Sequence, residues 1–399
     1  MVILSSALGI FNAEAFKISS TWPSIVIWLG CWLFAHHACS TYEPLLFCHF
    51  LSHSFRGIPA VSEILAEVLR GAKVESIHRG SIVVVNSAQE IVYSLGNPHA
   101  EMCMRSCAKP LQAIPVITSG AAAAFKFTDR ELALLCGSVS GQDFHVAAVR
   151  SILQKIGLSE ASLLCGVHPP SHRATARELQ QKGLKPGSVH NNCAGKHAAM
   201  LALCVYYGWP TENYLPLEHP VQQLILSCIA EMTSLPPERI NAAIDGCGVP
   251  VFYVPMRNLA EAYARLAVPM RQGAAQRTIT EHAIVQLMSA VCSYPEMIAG
   301  DERLCTDIMR TTGNRILAKT GAEGGYALAL FEQGLGIAVK IEDGAMRALG
   351  PVIIELLRQL EALSPAECQI LESYHHPLIL NHRKDRVGEI RAVFNLRRV

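Results

Sequence analysis

The sequence predicts an α+β fold in which both terminal regions contribute strands to one antiparallel sheet and a long helical region is inserted between them. Two observations carry this: a strand-turn-strand pattern stands on each side of the chain's middle, and the roughly two hundred residues between have helical periodicity. Near the start, Ile82-Val83-Val84-Val85 and Glu90-Ile91-Val92-Tyr93-Ser94-Leu95 flank the turn-forming Asn86-Ser87-Ala88-Gln89. The helical windows follow in order, with apolar residues three and four apart, at Glu131 to Cys136, His145 to Ile156, Ala174 to Gln181, Lys196 to Tyr207, Pro220 to Met232 and Glu281 to Ser293. Strands return at Tyr326 to Phe331 and Gly336 to Ile341, across Glu332-Gln333-Gly334-Leu335. A helix from about Ala345 to Leu363 and a last strand at Val387 to Val393 complete the pattern.

Composition restricts what such a fold does. Half of the 399 residues are hydrophobic and 17% are charged, enough for a large core. The 34 Lys and Arg nearly balance the 33 Asp and Glu, and no run of like charge marks a nucleic-acid or membrane footprint, so a small ligand is expected. There is no internal repeat, no G-x-x-x-x-G-K-[ST] loop and no G-x-G-x-x-G, which excludes the usual nucleotide-binding signatures. The 14 cysteines are scattered without the spacing of a disulfide framework, which points to a reducing, cytoplasmic setting. Residues 1–60 read as an apolar extension to a domain at 61–399. Within the extension, Ser24 to Ala35 is shorter than the ~18–20 residues of a membrane span and has only Lys17 as a basic residue before it. Contact of residues 24–35 with a membrane surface is the lesser expectation.

The chemistry begins at Arg105-Ser106-Cys107-Ala108-Lys109-Pro110. A helix starting at Ser106 places Lys109 one turn on and on the same face, where an unprotonated amine takes the proton of a nucleophilic hydroxyl. Pro110 suits the first turn, whose amides have no internal acceptor. Gly137-Ser138-Val139-Ser140-Gly141 and Lys319-Thr320-Gly321 follow in chain order. Together the three segments resemble the Ser-x-x-Lys, Ser-loop and Lys-Thr-Gly set of the penicillin-recognising serine enzymes, an arrangement that needs a strand at Lys319. Taken singly, each segment reads as well as a helix cap, a helix-ending loop or a glycine turn. A polar cluster, His190 to His197, stands before an apolar helix, and Asp245-Gly246-Cys247-Gly248-Val249-Pro250 forms a second polar turn. Spacing alone allows Cys193 and His197 to bind zinc with Cys247, although no C-x-x-C supports it.

Several longer stretches, in order from about residue 60 to the C-terminus, resemble the L-asparaginase II family of rhizobial type. They are Val74 to Gly80, Arg105 to Gln112, Cys165 to Pro170, His190 to His197, Asp245 to Pro250, Pro295-Glu296-Met297 with Gly300, Lys319 to Gly324, and Gly336 to Lys340 with Asp343-Gly344. The resemblance implies a fold similar to serine β-lactamases and glutaminases, a homodimer, and hydrolysis of L-asparagine to L-aspartate and ammonia. It implies two Ser-Lys pairs, Ser106 with Lys109 and Ser138 with Lys319, with Ser106 as the nucleophile. It also implies a zinc held by Cys193, Lys196 and Cys247 near the substrate, with Arg105, His197 and Asp245 in the pocket. Val139, Ala194 and Ala199 depart from the usual family pattern of His, Ser and Gly at those places. Two competing readings remain at this level: a β-lactamase or D-alanyl peptidase type of serine hydrolase, and a non-catalytic zinc-binding protein.

Overall fold

The computed structural model describes residues 62–271 and 277–399. The expectations for residues 1–60, including the apolar run at 24–35, fall outside the described residues.

The chain opens with β1 (Glu63–Arg70), β2 (Lys73–Val85), β3 (Ile91–Leu95) and β4 (Glu101–Cys103). Helices of seven residues or more follow: α1 (Lys109–Thr118), α2 (Asp129–Leu135), α3 (Asp143–Lys155), α4 (Arg173–Gln181), α5 (Ala194–Tyr207) and α6 (Pro220–Thr233). Then come β5 (Asn241–Ile244), β6 (Pro250–Pro255), α7 (Met256–Arg271), α8 (Ile279–Ser293) and α9 (Leu304–Thr311). The last elements are β7 (Ile316–Thr320), β8 (Gly325–Leu330), β9 (Leu335–Ile341), α10 (Leu349–Gln359), β10 (Leu378–Leu380), β11 (Arg386–Ala392) and β12 (Arg397–Arg398).

The main sheet runs β10-β11-β1-β2-β9-β8-β7, with β3 paired to both β2 and β12, and every pairing is antiparallel. Two seams join the distant halves of the chain: β2 to β9, from Gly80 opposite Ile341 to Val85 opposite Gly336, and β1 to β11. The sheet expected from both terminal regions is therefore present, with the helical region inserted between β3 and β7. Both expected hairpins form, as β2-β3 and β8-β9.

The helix boundaries follow local chemistry. Thr128 and Glu131 form a reciprocal capping box at the start of α2, as Thr278 and Glu281 do for α8. The helix expected from 345 to 363 is shorter, because Met346–Ala348 is a 3-10 turn and α10 ends at Gln359. Pro351 explains the start, since its missing N–H and its ring are tolerated only in a first turn. At the other end Glu361 adopts a left-handed φ of 53°, which stops the helix.

Strands β8 and β9 are almost wholly buried, and α7 crosses them. Gly336 in β9 permits this approach: a Cβ there would stand 2.0 Å from the Ala260 carbonyl oxygen and 2.1 Å from the Ala264 nitrogen of α7. Both obstacles are backbone, so neither can rotate away. Gly336→Ala is expected to destabilise the fold by roughly 2–3 kcal/mol through overpacking. Urea unfolding checks it, and a change in midpoint worth less than about 0.5 kcal/mol contradicts the close packing.

Candidate active site

Ser106 lies in a 3-10 turn, Arg105–Ala108, that runs directly into α1. The turn is pinned from two sides: Met104 donates its N–H to the Phe252 carbonyl of β6, and the Tyr263 hydroxyl of α7 donates to the Cys107 carbonyl at 2.8 Å. Arg105 has a φ of 44°, a left-handed conformation that costs a residue with a Cβ about 1–2 kcal/mol. Its Nε donates to Asp245 Oδ1 at 2.9 Å, an ion pair that helps hold the strained turn. The Ser106 side chain is half-buried, and its hydroxyl forms no hydrogen bond with any described residue.

The lysines are arranged differently from the simple spacing expectation. The Lys109 amine does not bond to Ser106. It donates to the Gly137 carbonyl at 2.8 Å and the Asn192 carbonyl at 2.8 Å, and lies 3.0 Å from Ser138 Oγ. Lys319 reaches the same hydroxyl from β7 at 2.9 Å and donates to its neighbour's carbonyl, Thr320, at 2.8 Å. Ser138 is thus flanked by both amines. The i,i+3 spacing brings Ser106 and Lys109 onto one helix face, but the long side chain of Lys109 extends to the carbonyls that satisfy a buried amine. Both lysines are almost completely buried, at 1% and 0% exposed. Burial pushes both below the ordinary lysine range, Lys319 to about 8.

The Ser138 loop follows α2, and its backbone is tied down by Ser138 N–H to the Ile298 carbonyl at 2.7 Å and Val139 N–H to the Asn192 carbonyl. Gly137 is required there, because a Cβ would stand 2.3 Å from the Met297 carbonyl oxygen. The Pro295-Glu296-Met297 segment, conspicuous in the sequence but without an evident task, thereby acts as a floor for the serine loop. The Cys165 to Pro170 segment is a loop, and it braces the second polar cluster: Asn191 donates to the Cys165 carbonyl, and the Asn192 N–H donates to His168 Nε2 at 3.0 Å. Val139, Ala194 and Ala199 are all buried, so these departures from pattern alter packing.

Beside the lysines, Cys193, Asp245 and Cys247 bring their ligand atoms within 4.8 Å of one another. His197, which spacing alone would select as a ligand, is not in this cluster. Its Nδ1 is 2.7 Å from the Tyr214 hydroxyl, which itself accepts from the Leu164 N–H, so the hydroxyl proton points at the ring. Burial, then the Lys196 and Lys109 charges, hold His197 neutral, well below the ordinary range. Its proton then belongs on Nε2, which is buried with no partner. Asp245 stands in the cluster instead, a residue for which the sequence offered no metal-spacing signal.

The donor set fits a dication: two sulfurs and a carboxylate at separations that one ion can span. The Cys247 thiol donates to Asp245 Oδ2 at 3.5 Å, while the two facing sulfurs act on each other: Cys247 lowers Cys193 well below the usual thiol range, and Cys193 together with burial raises Cys247. Burial would lower Lys196, but the facing Cys193, Cys247 and Asp245 outweigh it and raise the amine, which sits 3.4 Å from Asp245 Oδ2. Lys196 therefore joins as a ligand only on losing its proton. For Asp245, burial alone would raise the carboxyl, whereas Lys196 and Arg105 beside it hold it low.

The lowered pKa of Lys319 has a stability consequence. Between about pH 8 and the unfolded lysine value of about 10.4, the unfolded chain binds more protons than the native one, so this group makes stability rise with pH. Lys319→Met removes that contribution. The gain in unfolding free energy from pH 7 to 10 is expected to be larger in the wild type than in the variant, by up to about 3 kcal/mol. Urea titrations across this range measure it, and equal pH slopes for both proteins rule out a depressed Lys319.

No curated protein matches the chain. Among solved structures, Mglu in its glutamate form is 13% identical with a TM-score of 0.40, covering 71% of this chain and 61% of that chain. This chain therefore spans less than two thirds of the Mglu length. A Bacillus glutaminase crystallised in 4.3 M NaCl is 11% identical with a TM-score of 0.33, covering 71% of this chain and 91% of the other. A protein of Bacteroides dorei DSM 17855 with a provisional beta-lactamase description is 12% identical with a TM-score of 0.34, covering 80% of this chain and all of the other. The family model for L-asparaginase II matches residues 66–392, a span that includes Ser106, Lys109, Ser138, Lys319 and the whole Cys193–Asp245–Cys247 cluster. The chain belongs to the L-asparaginase II family.

Proposed function

We propose that the protein is an L-asparagine amidohydrolase that works through a Ser-Lys nucleophile. Family membership supports an amidohydrolase acting on a small-molecule amide. The observation that carries the mechanism is the convergence of two buried lysine amines on Ser138, at 3.0 and 2.9 Å, in the loop facing the Ser106 turn's own lysine.

In this mechanism Ser106 Oγ attacks the side-chain amide carbon and passes its proton into the Lys109–Ser138–Lys319 group. The tetrahedral adduct collapses as that group returns a proton to the nitrogen, and ammonia leaves. Water then attacks the resulting ester, gives a proton to the same group, and releases L-aspartate while Ser106 recovers its hydrogen. Arg105 and Asp245 carry opposite charges suited to the ends of a zwitterionic substrate, and the unpartnered His197 Nε2–H is a donor for it. Cys193, Cys247 and a deprotonated Lys196, with Asp245 within reach, would hold a zinc, which would supply positive charge beside the substrate. Among the described residues no helix is long and apolar enough to cross a membrane. A homodimer and a cytoplasmic setting complete the proposal.

Ser138 is the competing nucleophile, favoured by its two amine neighbours. Variants separate the two. Ser106→Ala is expected to abolish ammonia release from L-asparagine while remaining folded, whereas Ser138→Ala retains a measurable fraction, slower by roughly 10²–10⁴ for a lost proton-transfer group. Peptide mapping of acid-quenched enzyme should find the acyl group on Ser106; an ester on Ser138 transfers the nucleophile there. Lys109→Arg, which keeps the charge but provides no accessible base, should be nearly inactive from pH 6 to 10.

The purified protein is also expected to carry about one zinc per subunit, and Cys247→Ser should raise KM more than it lowers kcat. Elemental analysis with steady-state kinetics tests this. Turnover abolished by chelation and restored by zinc would assign the attacking group to a metal-activated water.

A further inference from the structure

We propose that a cavity between the start of α9, the start of α10 and the end of β7 is a binding site for a small oxyanion, either phosphate or a carboxylate. The cavity has a volume of about 250 Å³, enough for such a ligand. Its walls include Arg303, Arg347, Thr320, Ser373 and Tyr374, and no carboxylate is among the lining residues.

Two positive charges face this space without acidic partners in it. Arg303 is half-buried, and its guanidinium forms no hydrogen bond or ion pair with any described residue. Of the 18 ion pairs among the described residues, none involves Arg347. Its Nε donates to His78 Nε2 at 3.0 Å and one terminal nitrogen lies 3.3 Å from Ser76 Oγ, which orients the guanidinium while leaving other donors over. Two carboxylates bonded to residues at the cavity are already engaged: Asp307 accepts from the Tyr374 hydroxyl at 2.6 Å, and Asp343 bonds at 2.7 Å to His78, which Arg347 contacts.

The backbone adds to the same polarity. Arg303 is the N-cap of α9 and provides no side-chain cap, so amides of that first turn lack an intrahelical acceptor and present the positive end of the helix. Two guanidinium groups without a carboxylate partner, a hydroxyl from Ser373 and an uncapped helix start in one concave space make the donor-rich, acceptor-poor surroundings that an oxyanion satisfies. The site is separate from the Cys193–Asp245–Cys247 cluster, and Thr320 links it to the Ser138 lysines, since its carbonyl accepts from Lys319.

The test uses the full-length protein in isothermal titration calorimetry at constant ionic strength, with inorganic phosphate and succinate as separate probes and chloride as the control. Saturable one-to-one binding of either anion is expected, with the tighter of the two identifying the source. Arg303→Gln and Ser373→Asp should each weaken it at least tenfold, whereas Arg383→Gln, far out in solvent at 85% side-chain exposure, should leave it unchanged. Ser373 is an exposed surface residue, so that variant keeps the test open if Arg303→Gln fails to fold. Absence of saturable binding by both probes, or binding that survives both substitutions, overturns the proposal.

Discussion

Everything in the candidate site depends on one constraint: two lysine amines are buried around a hydroxyl that has a single proton. A buried ammonium is costly unless its donors are met, and a buried neutral amine still needs acceptors for its hydrogens. The protein supplies these as backbone carbonyls from Gly137, Asn192 and Thr320, which cannot swing away as side chains can. Those carbonyls belong to three segments far apart in the chain. The Ser138 loop hangs from α2, Asn192 precedes α5, and Thr320 ends β7. Holding them within hydrogen-bond distance of two amines requires the fold to be closed, which is the work of the β2-β9 and β1-β11 seams.

This dependence explains the close packing around the loop. Gly137 lies against the Met297 carbonyl and Gly336 against α7, so small residues sit where two pieces of backbone must approach to set the lysines. On the other side, the strained Arg105 turn is fixed by β6, by Tyr263 and by Asp245. Asp245 therefore serves two neighbourhoods at once: one oxygen holds the Ser106 turn and the other faces Lys196 at the cysteine cluster. Any change in the charge of that cluster is felt at the Ser106 turn through a single carboxylate.

Much of the scaffold was legible because its signals are local. Apolar periodicity and the Asn86 and Gly334 turns each act within a few residues, and the helices and hairpins they define form where expected. Helix α7 was missed although its buried Met256, Leu259, Tyr263 and Leu266 recur at three- and four-residue spacing; the signal sits between a short strand and Pro269 inside the helix, which reads as a break. The three-stranded sheet β4-β6-β5 was also missed, since strands of three and four residues carry almost no period. Site residues were legible as types and in order, but their pairings were not. Spacing placed Lys109 beside Ser106 and His197 on the metal, whereas Lys109 goes to Ser138 and His197 to Tyr214. In both cases the side chain is directed by partners more than eight residues away, which no local pattern encodes.

Counting protons on Ser138 shows what two amines can do that one cannot. Lys109 has three neighbours suited to an amine, two carbonyls and the Ser138 hydroxyl. As an ammonium it donates to all three. As a neutral amine it donates to the two carbonyls and turns its lone pair to the Ser138 proton, so either state is fully bonded. Lys319 has the same choice at the same hydroxyl. Both amines cannot accept from Ser138 together, because it has one hydrogen, so at most one is bonded as a neutral acceptor while the other donates. Removing a proton from one lysine thus reverses the direction of the Ser138 hydrogen bond without moving a heavy atom. A group that changes charge with so little rearrangement is suited to taking a proton in one half of a reaction and returning it in the other, which is the demand that amide hydrolysis places on its base.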